Sequence, residues 1–484
     1  MKKIKKLLVA NRGEIAIRVM RAAAELEIES VAIYSQEDRF ALHRFKVDEA
    51  YQVGKGKTPV HAYLDYEDII RIAVEANVDA IHPGYGFLSE RPDFAEACAA
   101  AGITFIGPPP DVMRTLGNKV AARRLAETCG VPVMPASGPL PEDPAEIAAI
   151  AESIGYPLML KASWGGGGRG MRVIEDAASL QELVTLGRRE AEQAFGNGEV
   201  YLEKLIRRAR HVEVQIVGDT HGNIVHLFDR DCTVQRRNQK VVERAPSMFL
   251  DDAAREEVCG AAVRLCRAAG YQNAGTVEFL QNADTGDVYF IEVNPRIQVE
   301  HTVTEELTGI DIVKAQIRIA QGGHIGEDDS GVPAQEHIRR NGYSMQCRIT
   351  TEDPENNFIP DYGTITAYRS PAGFGIRLDA GTAYAGAQIT RYYDSMLVKV
   401  TAWGTTPDET TARMLRALRE FRVRGVVTNL RFLEQLLMHP DFAAARYCTT
   451  FIDTTPELFD FEHRQDYGTP LLRYLGEVIV HGNP

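Results

Sequence analysis

Short apolar runs alternate with segments of helical spacing through the first quarter of the chain. Residues 6–10 read as a buried strand and residues 14–26 as an amphipathic helix. Further buried strands are predicted at 30–34, 79–81 and 103–106, with helices at 69–76 and 94–101 between them. This βαβ rhythm predicts a doubly wound parallel sheet. Ligands of such sheets sit beyond the carboxyl ends of the strands. Two loops fall there, Asn11-Arg12-Gly13 and His82-Pro83-Gly84-Tyr85-Gly86, both built of residues that allow close backbone approach. A turn-rich stretch at 132–144 closes the unit.

Strands then dominate. A smaller unit holds strands at 157–162, 171–174 and 200–205, with a glycine run between the first two. Beyond it, strands are predicted at 212–217, 224–229, 275–280, 289–294, 342–350 and 394–403, and helices at 415–421 and 430–438. The stretch 451–484 is thin in core residues. The chain reads as an α/β and α+β multidomain protein: residues 1–134, 135–206 with the glycine-rich loop, a mostly antiparallel unit with helices over 207–450, and a linker over 451–484.

Period-2 alternation places Phe290, Glu292 and Asn294 on one face of their strand. Asn282 to Asp287 reads as a turn, so Glu278 on the preceding strand can point at the same site. Clustered carboxylate and amide oxygens beside Arg296 suit a hard cation carrying nucleotide phosphates. A hairpin with solvent-facing acids is the competing reading, and the attached Asn-Pro-Arg-Ile-Gln-Val-Glu-His, ending at His301, disfavours it.

The glycine run Gly165 to Gly170, including Gly166 and Gly167, lies between two strands and opens no helix. It is therefore neither a P-loop nor a dinucleotide fingerprint. A glycine hairpin can close over phosphates as a lid, and a flexible, ligand-free tip is its alternative. Lys161 and Lys119 supply positive charge nearby. Glu203-Lys204-Leu205-Ile206 could read an adenine edge with backbone groups, packing Leu205 and Met171 on its face, or be an ordinary hinge strand. Asp231 to Glu243 carries six polar residues in a row, which predicts a solvated loop or, beside phosphates, a basic anion clamp.

Bulk properties narrow the classes. Across 484 residues, 44% are hydrophobic and 25% charged, as in soluble globular proteins. The formal charge of -13 argues against nonspecific nucleic-acid binding. No apolar run approaches a membrane span or a signal-peptide core, so no membrane partner is expected. Seven cysteines at irregular spacing form no metal or disulfide pattern and fit a reducing cytoplasm.

The chain resembles the biotin carboxylase members of the ATP-grasp superfamily along nearly its whole length. The resemblance rests on Ala10 to Ala16, His82 to Glu90, Gly165 to Met171, Gln235 to Glu243, Arg296 to His301 and Cys347-Arg348-Ile349. Thr302 to Glu305, Thr351 to Phe358 and Phe451 to Phe459 look like the pyruvate carboxylase branch. The end of the chain resembles the linker before that branch's carboxyltransferase domain, so an excised N-terminal domain is expected.

The resemblance implies an ATP-grasp fold with a lid domain at 135–206. It implies MgATP-dependent carboxylation of biotin by bicarbonate through carboxyphosphate. Glu300 is implied as the general base. Lys240, Arg296, Gln298, Val299 and Arg348 are implied around bicarbonate and biotin, with Tyr85 against the biotin rings. ATP is assigned to Lys119, Lys161, Gly166, Gly167, Met171, Glu203, Lys204, Ile206, His211, Gln235, Asn238, Glu278, Leu280 and Glu292. Two Mg2+ or Mn2+ ions are assigned to Glu278, Glu292 and Asn294. Many relatives have His where Asn238 stands, and altered ATP affinity is the most this departure implies.

No Ala-Met-Lys-Met biotin-attachment sequence occurs, so biotin is an acceptor not attached to this chain. Carrier and carboxyltransferase domains, a homodimer through this domain and a tetramer of the full-length enzyme are the implied partners. An ATP-grasp ligase acting on an amine, and a non-catalytic scaffold, are the competing readings. Arg296 to His301 with Arg348 count against the first, and retention of Glu300, Lys240 and the acidic residues against the second.

Overall fold

The computed structural model describes residues 3–164, 171–461 and 468–482. Five parallel strands form the N-terminal sheet: β1 (Lys6–Val9), β2 (Glu29–Tyr34), β3 (Glu49–Gln52), β4 (Ala80–His82) and β5 (Thr104–Phe105). Their order is β3-β2-β1-β4-β5, so the chain winds outward in both directions from β1. Helix α1 (Gly13–Glu25) follows β1 and buries Ile15, Ala16, Val19 and Met20. Its apolar face is the one its helical spacing predicts.

A three-stranded antiparallel sheet follows, of β6 (Leu158–Ala162), β7 (Arg172–Ile174) and β8 (Val200–Lys204) in the order β7-β6-β8. The predicted glycine lid, with Gly166 and Gly167, lies outside the described residues.

The largest sheet has eight antiparallel strands. It contains β9 (Ala209–Gly218), β10 (Ile224–Arg236), β11 (Gln239–Ala245), β12 (Asn273–Asn282), β13 (Val288–Asn294) and β14 (Tyr343–Thr350). The strands Met396–Gly404 and Ile376–Ala380 complete it, in the order β13-β12-β9-β10-β11-β14 and then those two. Val212, Val214 and Ile216 of β9 and Val277 and Phe279 of β12 face the helix Asp252–Ala268, closing one apolar core. A second core joins α1 and β1 to Ile297 and the helix Ile312–Ala320, so the parallel unit is seated directly on the large sheet. No helix among the described residues is long and apolar enough to cross a membrane.

Three local expectations are corrected. Phe290 does not share a face with Glu292 and Asn294. Glu278 stands opposite Glu292, but Phe279 stands opposite Phe290, so Ile291 is an extra residue in β13. The bulge turns Phe290 into the apolar core, edge-on to Phe279 with ring centroids 6.3 Å apart. The polar stretch 231–243 is no loop either. β10 runs through it to Arg236 and β11 starts at Gln239, because Val234 and Val242 pair and bury their side chains. Arg237 and Asn238 make the connection, with φ of 49° and 62°. Two left-handed residues suit the turn of a tight hairpin.

The third correction is at the C-terminal end. Phe451, Ile452 and Leu458 are buried with Phe432 and Leu436, so the core continues into a stretch that looked thin. The predicted helix at 415–421 starts earlier, spanning Pro407–Glu420. Thr406 caps it by accepting from the Glu409 amide, and Pro407 takes the first helical position, where no amide hydrogen is needed.

Candidate active site

Three strands of the large sheet set three carboxylates in one row. In the pairing register Glu213 of β9 faces Glu278 of β12, and Glu278 faces Glu292 of β13. Asn294 lies two residues further along β13 and donates to Glu278 Oε1 at 2.7 Å. Like charges directly opposite one another across a sheet repel. Cations packed over the row answer that repulsion. Lys240 Nζ of β11 donates to Glu278 Oε1 at 3.2 Å and also to Glu213. His211 Nε2 lies 3.0 Å from Glu278 Oε2, and Lys119 Nζ lies 3.2 Å from Glu292. Beneath them Arg230 is wholly buried, donating to Glu213 at 3.0 Å, Gln215 at 2.7 Å, Thr304 at 3.1 Å, Thr276 at 3.0 Å and Gln298 at 2.8 Å.

Glu300 ends the loop before the helix His301–Thr308 and is 2% exposed. Its two oxygens accept from different cations: Oε1 from Lys240 at 2.7 Å and Oε2 from Arg348 Nη2 at 2.9 Å. Arg348 is held in turn by Glu243, at 2.6 Å from its Nε, and Gln346 donates to the other Glu243 oxygen at 2.9 Å. Gln298 is oriented from both ends, accepting from Arg230 and donating to Glu278 at 2.8 Å.

Burial alone raises the carboxyl groups of Glu213, Glu243, Glu278 and Glu300. At Glu300 it is outweighed by Lys240, Arg348 and Arg230, which hold the carboxyl well below its ordinary range. At Glu278 it is outweighed by Lys240 and His211, with the same result. At Glu213 and Glu243 burial prevails over the neighbouring cations and pushes the carboxyl up. Burial would lower the Lys240 ammonium, but Glu213, Glu278 and Glu300 raise it well above the ordinary lysine range. The site thus keeps Glu300 and Glu278 ionised under a permanent positive charge.

Beside this cluster opens a cavity of about 1260 Å³ whose walls include Tyr85, Lys240, Arg296, Val299 and Arg348. Arg296 donates to Glu90 at 2.8 Å and to Asn294 at 3.1 Å, linking the cavity to the acidic row. Tyr85 donates its hydroxyl to Glu14. On the side facing the small sheet, Lys161 of β6 is ion-paired with Glu203 of β8. Lys204 Nζ donates to the Gly155 and Tyr156 carbonyls at 2.8 Å, and the amides of Lys204 and Leu205 are bonded to Pro135 and Pro157. Those two amides are therefore already engaged. Met171 precedes β7, Ile206 follows β8, and Leu280 pairs with His211 across β12 and β9. Gln235 pairs with Lys240, one pair inside the exposed turn that carries Asn238.

Glu278, Glu292 and Asn294 come together as an oxygen-rich set, which fits a hard divalent cation. Sequence reasoning gave no role to Glu213, Arg230 or Glu243, although Glu243 lies in the polar stretch 231–243. His211, Glu213 and Gln215 recur at every second position between valines. That alternation looks the same whether the polar face meets water or another layer of protein.

Comparison with known proteins follows this geometry. Residues 3–113 match the family model for the biotin carboxylase N-terminal domain. Residues 118–327 match that for the carbamoyl-phosphate synthase L chain ATP-binding domain, and residues 346–454 that for the biotin carboxylase C-terminal domain. The chain is 53% identical to the pyruvate carboxylase of Bacillus subtilis over 99% of its own length and 42% of that protein. It is likewise 53% identical to the human mitochondrial pyruvate carboxylase, over 99% of itself and 40% of the relative. The chain thus spans about two fifths of the length of these curated relatives. Among solved structures, Rhizobium etli pyruvate carboxylase T882A, with its allosteric activator acetyl coenzyme A, superposes with TM-score 0.93 at 64% identity, over 98% of this chain and 42% of that one. The biotin carboxylase domain dimer of Hydrogenobacter thermophilus 2-oxoglutarate carboxylase, in complex with MgADP, ADP and bicarbonate, gives TM-score 0.91 at 44% identity over 96% of this chain and 100% of that one.

Proposed function

This chain belongs to the biotin carboxylase family, and from that premise we propose that it carboxylates biotin with bicarbonate at the expense of MgATP, through carboxyphosphate, as the first half-reaction of a pyruvate carboxylase that makes oxaloacetate. The observation that supports this most is Glu300, buried and ionised between Lys240 and Arg348 on the cavity side of an acidic row.

Glu300 takes the proton of bicarbonate, freeing an oxygen to attack the γ-phosphate. A carboxylate held this far below its ordinary range is a weak base while both of its oxygens are engaged by Lys240 and Arg348. Anionic substrates sharing those two cations draw them away from Glu300 and raise its basicity when the proton must move. Lys240, Arg296 and the backbone at Gln298 and Val299 hold bicarbonate. Glu278, Glu292 and Asn294 would hold two magnesium or manganese ions, which would neutralise the charge that builds between the phosphates. Lys119, Lys161, Met171, Glu203, Lys204, Ile206, His211, Gln235, Asn238 and Leu280 surround ATP. Carboxyphosphate then breaks to CO2 and phosphate, and the phosphate takes the ureido proton of biotin. Arg348 stabilises the enolate-like oxygen that results while the ureido nitrogen attacks CO2, with Tyr85 against the rings.

Biotin arrives on a carrier domain, and the product leaves to a carboxyltransferase domain; both belong to the remaining length of such an enzyme. A homodimer through this domain, a tetramer of the full-length enzyme and a cytoplasmic location complete the proposal. All seven cysteines are free, which agrees with a reducing compartment.

The test is ADP release with MgATP and bicarbonate, with and without free biotin, beside Glu300→Gln. Bicarbonate-dependent, biotin-stimulated release that falls at least about 10²-fold in the variant is expected. Release that ignores bicarbonate would overturn the assignment.

A further inference from the structure

The cavity has two walls from distant parts of the chain. One is the Pro83–Gly86 loop after β4, which carries Tyr85. The other includes Val299, the residue before the buried Glu300. Besides Arg296–Glu90, a buried ion pair ties them together. Lys399, on the strand Met396–Gly404, is wholly buried and donates to Glu14 Oε1 at 3.0 Å and to the Val299 carbonyl at 2.8 Å. Glu14, in the first turn of α1, accepts the Tyr85 hydroxyl on that same oxygen.

The surroundings hold this bridge in place. Asn11 donates to the Pro83 and Tyr85 carbonyls at 2.7 and 2.8 Å, pinning the loop to the start of α1. Gly381 packs against the same turn so closely that a Cβ there would lie 2.7 Å from the Glu14 amide nitrogen. The arrangement is not one that stability alone selects. Glu14 Oε2 is buried with no hydrogen-bond partner, and an unsatisfied buried carboxylate oxygen costs free energy that an apolar pair would avoid.

We propose that Glu14 and Lys399 are positioning residues that set the spacing between the Tyr85 wall, against which the biotin rings lie, and the Val299–Glu300 wall, where bicarbonate is deprotonated. This rests on the carboxylase reading of the site. Neither side chain touches a reacting atom; each acts through the group it holds. The ATP side is held by other contacts, among them Lys119–Glu292 and Lys161–Glu203. A loosened bridge therefore widens the acceptor subsite and spares the nucleotide.

Steady-state kinetics of Glu14→Gln, Tyr85→Phe and the double variant Glu14→Gln/Lys399→Met, with free biotin as acceptor, read this out. Tyr85→Phe deletes only a hydroxyl and leaves no new buried charge, so it reports even if the charge variants fold poorly. The expected result is a KM for biotin raised about tenfold, while the KM for ATP moves less than about twofold. A biotin KM unchanged in Tyr85→Phe and Glu14→Gln overturns the proposal, as does a uniform loss in which only the active fraction falls. If the wild-type protein itself shows no bicarbonate-dependent ADP release, the carboxylase reading fails and this inference with it. If the wild type turns over and the KM values do not separate, the positioning role alone is lost.

Discussion

β1 and β9 each run between two neighbouring strands, and both bury nearly every side chain. In β1 both faces are apolar: Leu7 and Val9 pack towards α1, and Leu8 towards Tyr63 and Ile69. In β9 only one face is. Val212, Val214 and Ile216 enter a core, whereas His211, Glu213 and Gln215 are equally buried on the other side. A parallel strand covered by helices on both faces needs only hydrophobic residues. The polar face of β9 is covered instead by the segment from Arg296 to Thr304, so each polar group there must find a partner from another element. Arg230 and Lys240 provide them. Stability does not require such a layer, since well-packed apolar residues usually do as well or better. The comparison therefore separates a region built to hold the molecule together from one built to hold charge out of water.

The largest expected effect comes from breaking the charged layer at its hub. Arg230→Met leaves Glu213 short of a partner and the Gln298 amide unoriented, at a cost of about 3–5 kcal/mol. Leu8→Ala in β1 costs a comparable amount, about 2–5 kcal/mol, by opening a cavity. The two differ in how they are repaired. Arg230→Met/Glu213→Leu regains at least about half of the lost stability, because an apolar pair replaces a buried ionic one, yet carboxylation does not return. Leu8→Ala keeps kcat near the wild-type value while folded. Denaturant unfolding and ADP release on the same preparations check both arms. Recovery of activity in the double variant would show that the charged layer is merely structural.

The same difference governs what could be read from the sequence. Four strands of the parallel unit were legible because they are short apolar runs set between segments of helical spacing, whereas β3, Glu-Ala-Tyr-Gln and only half-buried at the sheet edge, was missed. Glu278 and Glu292 were legible because a turn separates two alternating strands and pairs them. Glu213 was not, because nothing in β9 says that its polar face is roofed by residues some eighty positions later. Phe290 was misassigned to the acidic face because the bulge at Ile291 exists only once β13 is set against β12. The hairpin through 231–243 was missed because its polar residues point into the charged interior as much as into water. The Glu14–Lys399 bridge joins positions 385 residues apart by number, and no local pattern carries it.

Acid tests both regions. In the parallel unit, burial lowers His43 and His82 from 6.5 to about 4, so both are neutral in the folded protein. Between pH 6.5 and about 4 the unfolded chain binds protons that the folded one refuses. Their contribution is therefore complete above pH 6.5 and is lost as pH falls towards 4. Around β9 the carboxyls of Glu278 and Glu300 are depressed, so their contribution is complete above the ordinary 4.5 and is lost only below it. Burial lowers His226 on β10 and His301 over β9 in the same way, to about 4 and about 3, so acid reaches the buried histidines of both regions before the carboxyls of Glu278 and Glu300. His82 accepts from the Gly84 amide at 3.0 Å and contacts Gln316 Oε1 at 3.2 Å, two bonds that glutamine can approximate. His82→Gln flattens the stability slope between pH 6 and 4.5 by about 1.4 kcal/mol per pH unit. Unfolding free energies measured at several pH values check this, and a slope equal to that of the wild type would contradict it.

The smallest expected effect lies where the charged hairpin leaves the interior. Asn238 is exposed at the turn between β10 and β11, with φ of 62°, directly after Arg237 at 49°. Asparagine adopts this left-handed conformation more readily than histidine, the residue that the family resemblance leads one to expect there. Asn238→His therefore costs some stability at the turn, below about 1 kcal/mol. Its side chain is not part of the buried network, and the lysine that is, Lys240, is fixed by Glu213, Glu278 and Glu300 whatever residue occupies the tip. The KM for ATP is expected to change less than about threefold, with the turnover rate unaltered. Asn238→Gly, which keeps the turn and deletes the side chain, separates the two contributions: if glycine and histidine shift ATP affinity equally, the asparagine amide contacts the nucleotide, and if only histidine does, the strain of the turn is transmitted to Lys240. A change of a hundredfold in either variant would mean that the charged layer extends to the tip of the hairpin, and that the boundary drawn between β9 and the surface lies one turn too deep.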